Sequence, residues 1–366
     1  MKKILISILS LGGGGAEKVL IDILNNLDTT TYDITVCTLF NTGVYVDKIP
    51  EGIHYKTLVK KPTKLKRSIF WRMLKYLPRK WTYRLFIREK YDVEIAFMEG
   101  FETMLLSGSN CPNKIAWVHT DLIDLDWISP YHRSEQHVLE NYKQYDRIVF
   151  VSKEAKDSFE KRFGPFENTS VIYNLIDDNL IQKKSTQPLP CPKPHIPVVC
   201  GVGRFISVKG FGRLLNVHKR LIEEGISHKL WLLGTGSEEA KFKDFVQSNG
   251  LSDSVVFWGF QSNPYPFILQ SDIFVSPSVA EGFSLVVAEA LVLKKPIIAT
   301  RCTGPTEILS DGKFGLLVEN SEEGIYQGIR SLLTDESLLK EIQKNAILGS
   351  EQFDPKKTIQ QIEALF

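Results

Sequence analysis

Glu281 and Glu289 stand eight positions apart in the run from Ser276 to Ala290 (SPSVAEGFSLVVAEA), and this is the stretch with the most chemistry to offer. A strand is predicted to end near Ser276 and a helix to begin near Ser284, with Gly282 permitting close backbone approach between them. The free N–H groups of Phe283, Ser284 and Leu285 then open a helix, where a diphosphate fits. Glu281 falls in the loop, and Glu289 about a turn and a half into the helix. Two carboxylates beside a phosphate pocket suit sugar hydroxyls, one in a transferred sugar and one in a nucleoside ribose. Val286, Val287, Ala288, Ala290 and Leu291 make the helix apolar, so an acid at 289 needs a partner.

Two other segments could handle phosphate. Gly201-Val-Gly203-Arg204 followed by Lys209-Gly210 places two cations just past a predicted strand; arginine grips a diphosphate by a planar fork and lysine as a compact charge. Gly12 to Gly15, including Gly14 and Gly15, present backbone without side chains at a helix start, which suits phosphate or carboxylate as well as a plain tight turn. No glycine pair completes G-x-G-x-x-G/A. Gly12 and Gly14 meet Glu17 at the third position, Gly13 and Gly15 meet Lys18, Gly201 and Gly203 meet Ile206, and Gly234 and Gly236 meet Glu239. With no P-loop either, the nicotinamide and P-loop classes lose their support.

These segments need strands and helices to hold them. Apolar runs at Ile4–Leu9, Ile34–Leu39, Val93–Phe97, Lys114–Val118 and Arg147–Val151 predict strands, with a helix over Ala16–Leu27. The prolines at 188, 190, 192, 194 and 197 predict an extended linker. Alternation resumes with strands at Val198–Val202, Lys229–Leu233, Val255–Trp258, Ile273–Ser276 and Pro296–Thr300, and helices over Phe211–Glu224, Glu238–Ser248 and Leu285–Leu293. The expected class is α/β: two doubly wound, Rossmann-like domains, residues 1–187 and 188–352, facing a central cleft, with a last helix over about 353–366 returning to the first.

The 366 residues, 43% hydrophobic and 24% charged, are enough for two cores and exclude a disordered or disulfide-stapled chain. Five scattered cysteines without C-x-x-C spacing predict neither disulfides nor a zinc site and fit a reducing cytosol. No run is apolar for the ~18 residues that a spanning helix requires. The formal charge of +2 conceals a split. Between Lys56 and Lys90 thirteen basic residues face one acid, a local net of +12, and the remainder carries −10.

Together these motifs resemble the retaining glycosyltransferases of family 4, which have the two-domain GT-B fold. The resemblance is carried by Glu281 with Glu289, Gly203-Arg204 with Lys209-Gly210, Leu233-Gly234-Thr235-Gly236, Phe257-Trp258-Gly259-Phe260, Gly304-Pro305-Thr306-Glu307 and Gly12 to Glu17, in order along nearly the whole chain. It implies donor binding by Gly14, Gly15, Arg204, Lys209, Gly234, Gly282, Phe283, Ser284, Leu285 and Glu289, with Glu281 and His119 at the catalytic centre. His119 lies in Trp117-Val118-His119-Thr120-Asp121, just past a predicted strand. A nucleotide sugar, with UDP the expected base, would be co-substrate; no cofactor or metal is expected. The acceptor would be a lipid-linked saccharide in bacterial capsule, lipopolysaccharide or exopolysaccharide assembly.

Asp124-Leu125-Asp126 matches the D-x-D of metal-dependent transferases and keeps that reading open, as does a non-catalytic sugar-nucleotide-binding protein on the same fold. In the 56–90 segment, Lys64, Lys66, Arg67, Trp71, Arg72 and Lys75 lead a mixture of cations and aromatics suited to an anionic membrane surface and the acceptor at it. Nucleic acid is not expected as a partner. The chain is expected in the cytoplasm, peripheral on the inner face of the cell membrane.

Overall fold

The computed structural model describes residues 1–59, 75–123, 128–129 and 131–366. They form two units, Met1–Leu175 with Lys356–Phe366, and Ile176–Pro355. The first is built on seven strands, β1 (Lys2–Ile8), β2 (Tyr32–Phe40), β3 (His54–Val59), β4 (Val93–Ala96), β5 (Lys114–Val118), β6 (Arg147–Phe150) and β7 (Thr169–Val171), in the order β3-β2-β1-β4-β5-β6-β7. The second has six, β8 (Val198–Val202), β9 (Lys229–Leu233), β10 (Val255–Gly259), β11 (Ile273–Ser276), β12 (Ile297–Thr300) and β13 (Leu316–Val318), in the order β10-β9-β8-β11-β12-β13. Adjacent strands in both sheets pair in parallel.

Parallel strands need crossovers, and helices such as Gly15–Leu24, Phe211–Glu223 and Leu285–Val292 supply them. With helices covering the sheets, central strands are buried along their whole length, as in β4 and β5, and read as continuous runs without alternation. The fold is the expected pair of doubly wound α/β domains. Strand order reverses beside the first strand of each sheet: β1 lies between β2 and β4, and β8 between β9 and β11. Loops leaving such a point diverge and open a crevice at the strand ends. Gly12–Glu17 and Glu99 follow β1 and β4; Gly203–Gly210 and Pro277–Ser284 follow β8 and β11.

Three strands were not predicted. β7 and β13 have three residues each, too few to stand out as a run, and β3 is an edge strand with no fully buried residue and no long apolar stretch. β3 contains Lys56, whose Nζ lies 2.5 Å from Glu89 Oε1, so the basic segment opens in paired sheet structure. The boundary also differs from the expected 187/188. Ile176 and Ile181 pack with Tyr265, Phe267 and Val287, which puts helix Asp178–Ser185 and the proline-rich stretch after it inside the second unit. That stretch is tied down by Lys193 Nζ, 2.6 Å from Asp272 Oδ1. At the other end, Ile362 and Leu365 are buried, the Asn113 side chain donates to the Leu365 carbonyl at 2.7 Å, and the Phe366 ring meets Tyr32 edge-on at 5.3 Å, all within the first unit. Lys64, Lys66, Arg67, Trp71, Arg72, Asp124 and Asp126 lie outside the described residues.

Candidate active site

At the carboxyl end of the second sheet, Phe205 is fully buried with its ring against Phe211, Phe242 and Phe257. With that anchor in place, the neighbouring Arg204 side chain stays exposed past β8. The Gly203 N–H donates to the Leu233 carbonyl at 2.9 Å and the Gly234 N–H to the Gly259 carbonyl at 2.7 Å, joining the turns after β8, β9 and β10. Gly234 has φ +139°, and a Cβ there would lie 1.9 Å from the Gly203 oxygen. Only glycine meets both conditions.

The loops after β8 and β11 are joined by the Val279 N–H, which donates to the Val208 carbonyl at 2.8 Å. This brings two predicted site residues together: Lys209 Nζ is 2.6 Å from Glu281 Oε1. The Ser278 hydroxyl donates to the same oxygen at 2.7 Å. Glu281 is buried, and the pair offers adjacent anchors, a cation for phosphate and a carboxylate for hydroxyls.

Helix Leu285–Val292 begins at Ser284 without a side-chain cap, and the Ser284 hydroxyl is buried with no hydrogen-bond partner. Leaving such a group unpaired costs about 1–3 kcal/mol, and an oxyanion at the helix start would satisfy it. Gly304 makes the close packing here feasible: its N–H donates to the Glu281 carbonyl at 3.1 Å, and a Cβ would meet the Ser284 nitrogen at 2.8 Å. Gly282 is buried and Phe283 packs against the apolar core. Glu289 is buried between Ala288 and Ala290, and the Tyr265 hydroxyl donates to its Oε1 at 3.2 Å.

Two residues with no role in the sequence reading hold this site together. Arg213, in helix Phe211–Glu223, donates from Nη2 to the Pro277 carbonyl and from Nη1 to Asn320 Oδ1 at 2.9 Å. The Asn320 amide in turn donates to the Val279 carbonyl at 2.8 Å. The loop that carries Ser278 and Glu281 is thereby strapped to a helix. Arg213 by itself reads as one more surface cation, and its partners are 64 and 107 positions away.

In the first unit, Gly14 caps helix Gly15–Leu24 with extended backbone. The Glu17 side chain folds back over this loop, so that a Cβ on Gly14 would meet its Oε2 at 2.3 Å. The helix start therefore faces a carboxylate of its own chain, one of the two anions the sequence allowed. Gly14, expected to bind donor, thus has that side chain beside its backbone.

His119 follows β5, with its ring 4.9 Å from Phe97 and stacked on Trp117 at 6.3 Å. It is only 8% exposed; burial pushes its pKa down to about 3, against a smaller opposing effect from a hydrogen bond to the Phe97 carbonyl. The ring is neutral at physiological pH, and its Nε2 has no partner. Beside it, the buried Glu99 accepts the His119 main-chain N–H at 2.9 Å and the Thr120 hydroxyl. Burial raises the pKa of Glu99 and, more strongly, of Glu102. Among the described residues no group of three or more His, Cys, Asp and Glu side chains could hold a metal ion.

Residues 13–180 match the family described as Glycosyltransferase Family 4, and residues 192–348 match Glycosyl transferases group 1. The chain is 28% identical over 371 residues to the N-acetylgalactosamine-N,N'-diacetylbacillosaminyl-diphospho-undecaprenol 4-alpha-N-acetylgalactosaminyltransferase of Campylobacter jejuni, covering 98% of this chain and 97% of that one. It is 32% identical over 223 residues to an uncharacterized glycosyltransferase of Methanocaldococcus jannaschii, an alignment spanning 55% of either chain. The structure of Anabaena HepE in complex with UDP and glucose superposes with a TM-score of 0.77 at 21% identity, covering 100% of this chain and 99% of HepE, and so shares the fold. The chain belongs to glycosyltransferase family 4 and has the GT-B fold.

Proposed function

We propose that the chain is a retaining hexosyl- or N-acetylhexosaminyltransferase, using a UDP-sugar and a lipid-linked saccharide acceptor in the assembly of bacterial capsule, lipopolysaccharide or exopolysaccharide. The observation that carries this reading is the meeting of Lys209 and Glu281 at 2.6 Å, where the loops of the second sheet diverge. Lys209, Arg204 and the N–H groups at Phe283, Ser284 and Leu285 take the donor diphosphate; Glu281 and Gly282 take the sugar, and Glu289 the ribose. As the sugar–phosphate bond breaks, negative charge grows on the leaving diphosphate, and these fixed cations and dipoles stabilise it. The leaving phosphate removes the proton of the acceptor hydroxyl on the same face, so configuration is retained without a protein nucleophile or a metal. His119, neutral, accepts a hydrogen bond from a substrate hydroxyl at Nε2.

The C. jejuni relative's name specifies an undecaprenol-linked acceptor, and HepE was solved with UDP, which supports the same classes here. For the membrane, Trp81 is 75% exposed and Leu85 52% on helix Arg79–Phe86, next to exposed Lys80, Arg84 and Arg88. Each such cation contributes about 1 kcal/mol near anionic headgroups. No helix among the described residues is long and apolar enough to cross a membrane. In a sedimentation assay, anionic vesicles should retain the chain and neutral ones release it; equal binding to both refutes the electrostatic contact.

The donor reading is tested by a thermal-shift panel of UDP, GDP and ADP on the wild type and Glu289→Ala. UDP at 100 times its Kd adds about 2.7 kcal/mol to the folded state. The variant should need about 10–100-fold more UDP for the same shift, the equivalent of one charge-assisted hydrogen-bonded contact. No shift with any nucleotide, or an unchanged response in the variant, would overturn the assignment.

A further inference from the structure

We propose that Glu99 is a positioning residue that fixes the main chain at His119 and Thr120 and so aims the His119 ring. The inference rests on the role assigned to His119 above. Glu99 sits in the loop after β4 and uses both carboxylate oxygens on the segment after β5: Oε2 accepts the His119 N–H at 2.9 Å, and Oε1 accepts the Thr120 hydroxyl. Two residues earlier in that loop, the Phe97 ring packs on the His119 ring at 4.9 Å. One short loop thus holds both the backbone and the imidazole of a single residue.

The role given to His119 above, an acceptor at the buried and unpartnered Nε2, puts the ring's hydrogen on Nδ1. Nε2 is then a lone pair held in one direction, as an acceptor for a substrate hydroxyl must be. Glu99 does this while 5% exposed. Its resolved interactions are the His119 N–H, the Thr120 hydroxyl and its own main-chain N–H, with no cation among them. A carboxylate in that setting is costly. An apolar residue would avoid the cost but would leave the His119 N–H unpaired and the segment after β5 free to turn.

The variants are Glu99→Ala, Glu99→Gln and His119→Ala, in the full chain labelled with 15N-histidine, the missing signal in His119→Ala identifying that ring among seven. In the wild type the His119 ring shows a protonated Nδ1 and a bare Nε2, unchanged from pH 8 to 5. In Glu99→Ala the ring should lose that single tautomer and begin to titrate above pH 5. Glu99→Gln should restore the wild-type pattern, its carbonyl accepting the N–H and its amide donating to Thr120. UDP release from UDP-glucose and UDP-N-acetylglucosamine should fall in kcat by about 100-fold in Glu99→Ala, the cost of a misplaced reacting group, and much less in Glu99→Gln. UDP affinity, which belongs to the other unit, should hold within about two-fold and report an intact fold. An unchanged His119 ring in Glu99→Ala overturns the proposal. If His119→Ala leaves turnover intact, the role of His119 fails instead, and the ring signals alone still decide whether Glu99 positions it.

Discussion

Arg213→Met keeps the aliphatic stem in place and removes both straps on the loop that carries Ser278 and Glu281. A hydrogen bond from a charged group is worth about 1.5–3 kcal/mol. Arg213 is only half-buried and water would replace part of each bond, so the second unit should lose about 1–3 kcal/mol in total. Asn320 also loses its acceptor contact with Arg213, while the Val279 to Val208 bond survives, so the loop should loosen and not detach. If about 1 kcal/mol of that loss reappears as disorder between Lys209 and Glu281, UDP affinity falls about five-fold. Arg213→Lys reaches one of the two acceptors and should lie between. Titration calorimetry with UDP, alongside urea denaturation, reads both quantities. UDP affinity within two-fold of wild type in Arg213→Met would refute the claim that these straps organise the site, whatever the change in stability.

Two further expectations concern the second unit. Gly234→Ala forces a Cβ to within 1.9 Å of the Gly203 oxygen at φ +139°, and should cost about 2–4 kcal/mol in urea denaturation together with most UDP binding; a variant with wild-type stability refutes the steric argument. His218, whose Nδ1 lies 2.8 Å from His228 Nε2, has its pKa pushed down to about 3 by burial and, to a lesser degree, by His228. The folded state keeps this ring neutral, whereas the unfolded chain takes up a proton below about pH 6.5. The stability it contributes is therefore present at pH 7 and lost as pH falls from about 6.5 toward 3, about 2 kcal/mol of it by pH 5. The stability gap between wild type and His218→Gln should narrow by about that amount from pH 7 to 5, and a gap independent of pH would show that the ring is not held neutral.

What could be read from the sequence divides by distance along the chain. β5, β8, β9 and β11 were delimited to the residue because strands buried on both faces leave uninterrupted apolar runs. β3 left none, lying half-exposed at an edge. Gly234 and Gly304 stood out as glycines, although the atoms that demand glycine at those positions, the Gly203 oxygen and the Ser284 nitrogen, are tertiary neighbours. The contacts between Lys209 and Glu281, Arg213 and Pro277, and Glu99 and His119 join residues that only the strand order brings together. For Glu289 the apolar helix made a partner necessary without naming it, and Tyr265 is 24 positions away. Glu17 is the local exception. It lies three residues from Gly14, and treating the glycine loop as bare backbone hid the side chain that folds over it.

The placement of residues 356–366 with the first unit has a consequence for the order of events during synthesis. Residues 1–175 leave the ribosome ahead of them by the length of the entire second unit, on the order of ten to forty seconds at bacterial elongation rates. Through that interval the surface around Tyr32 and Asn113 lacks Ile362, Leu365 and Phe366, while the second unit has every residue it needs before the chain is finished. The half made first is thus the half completed last. A chain cut short near residue 355 would have the whole of the second unit and a first unit still missing Ile362, Leu365 and Phe366.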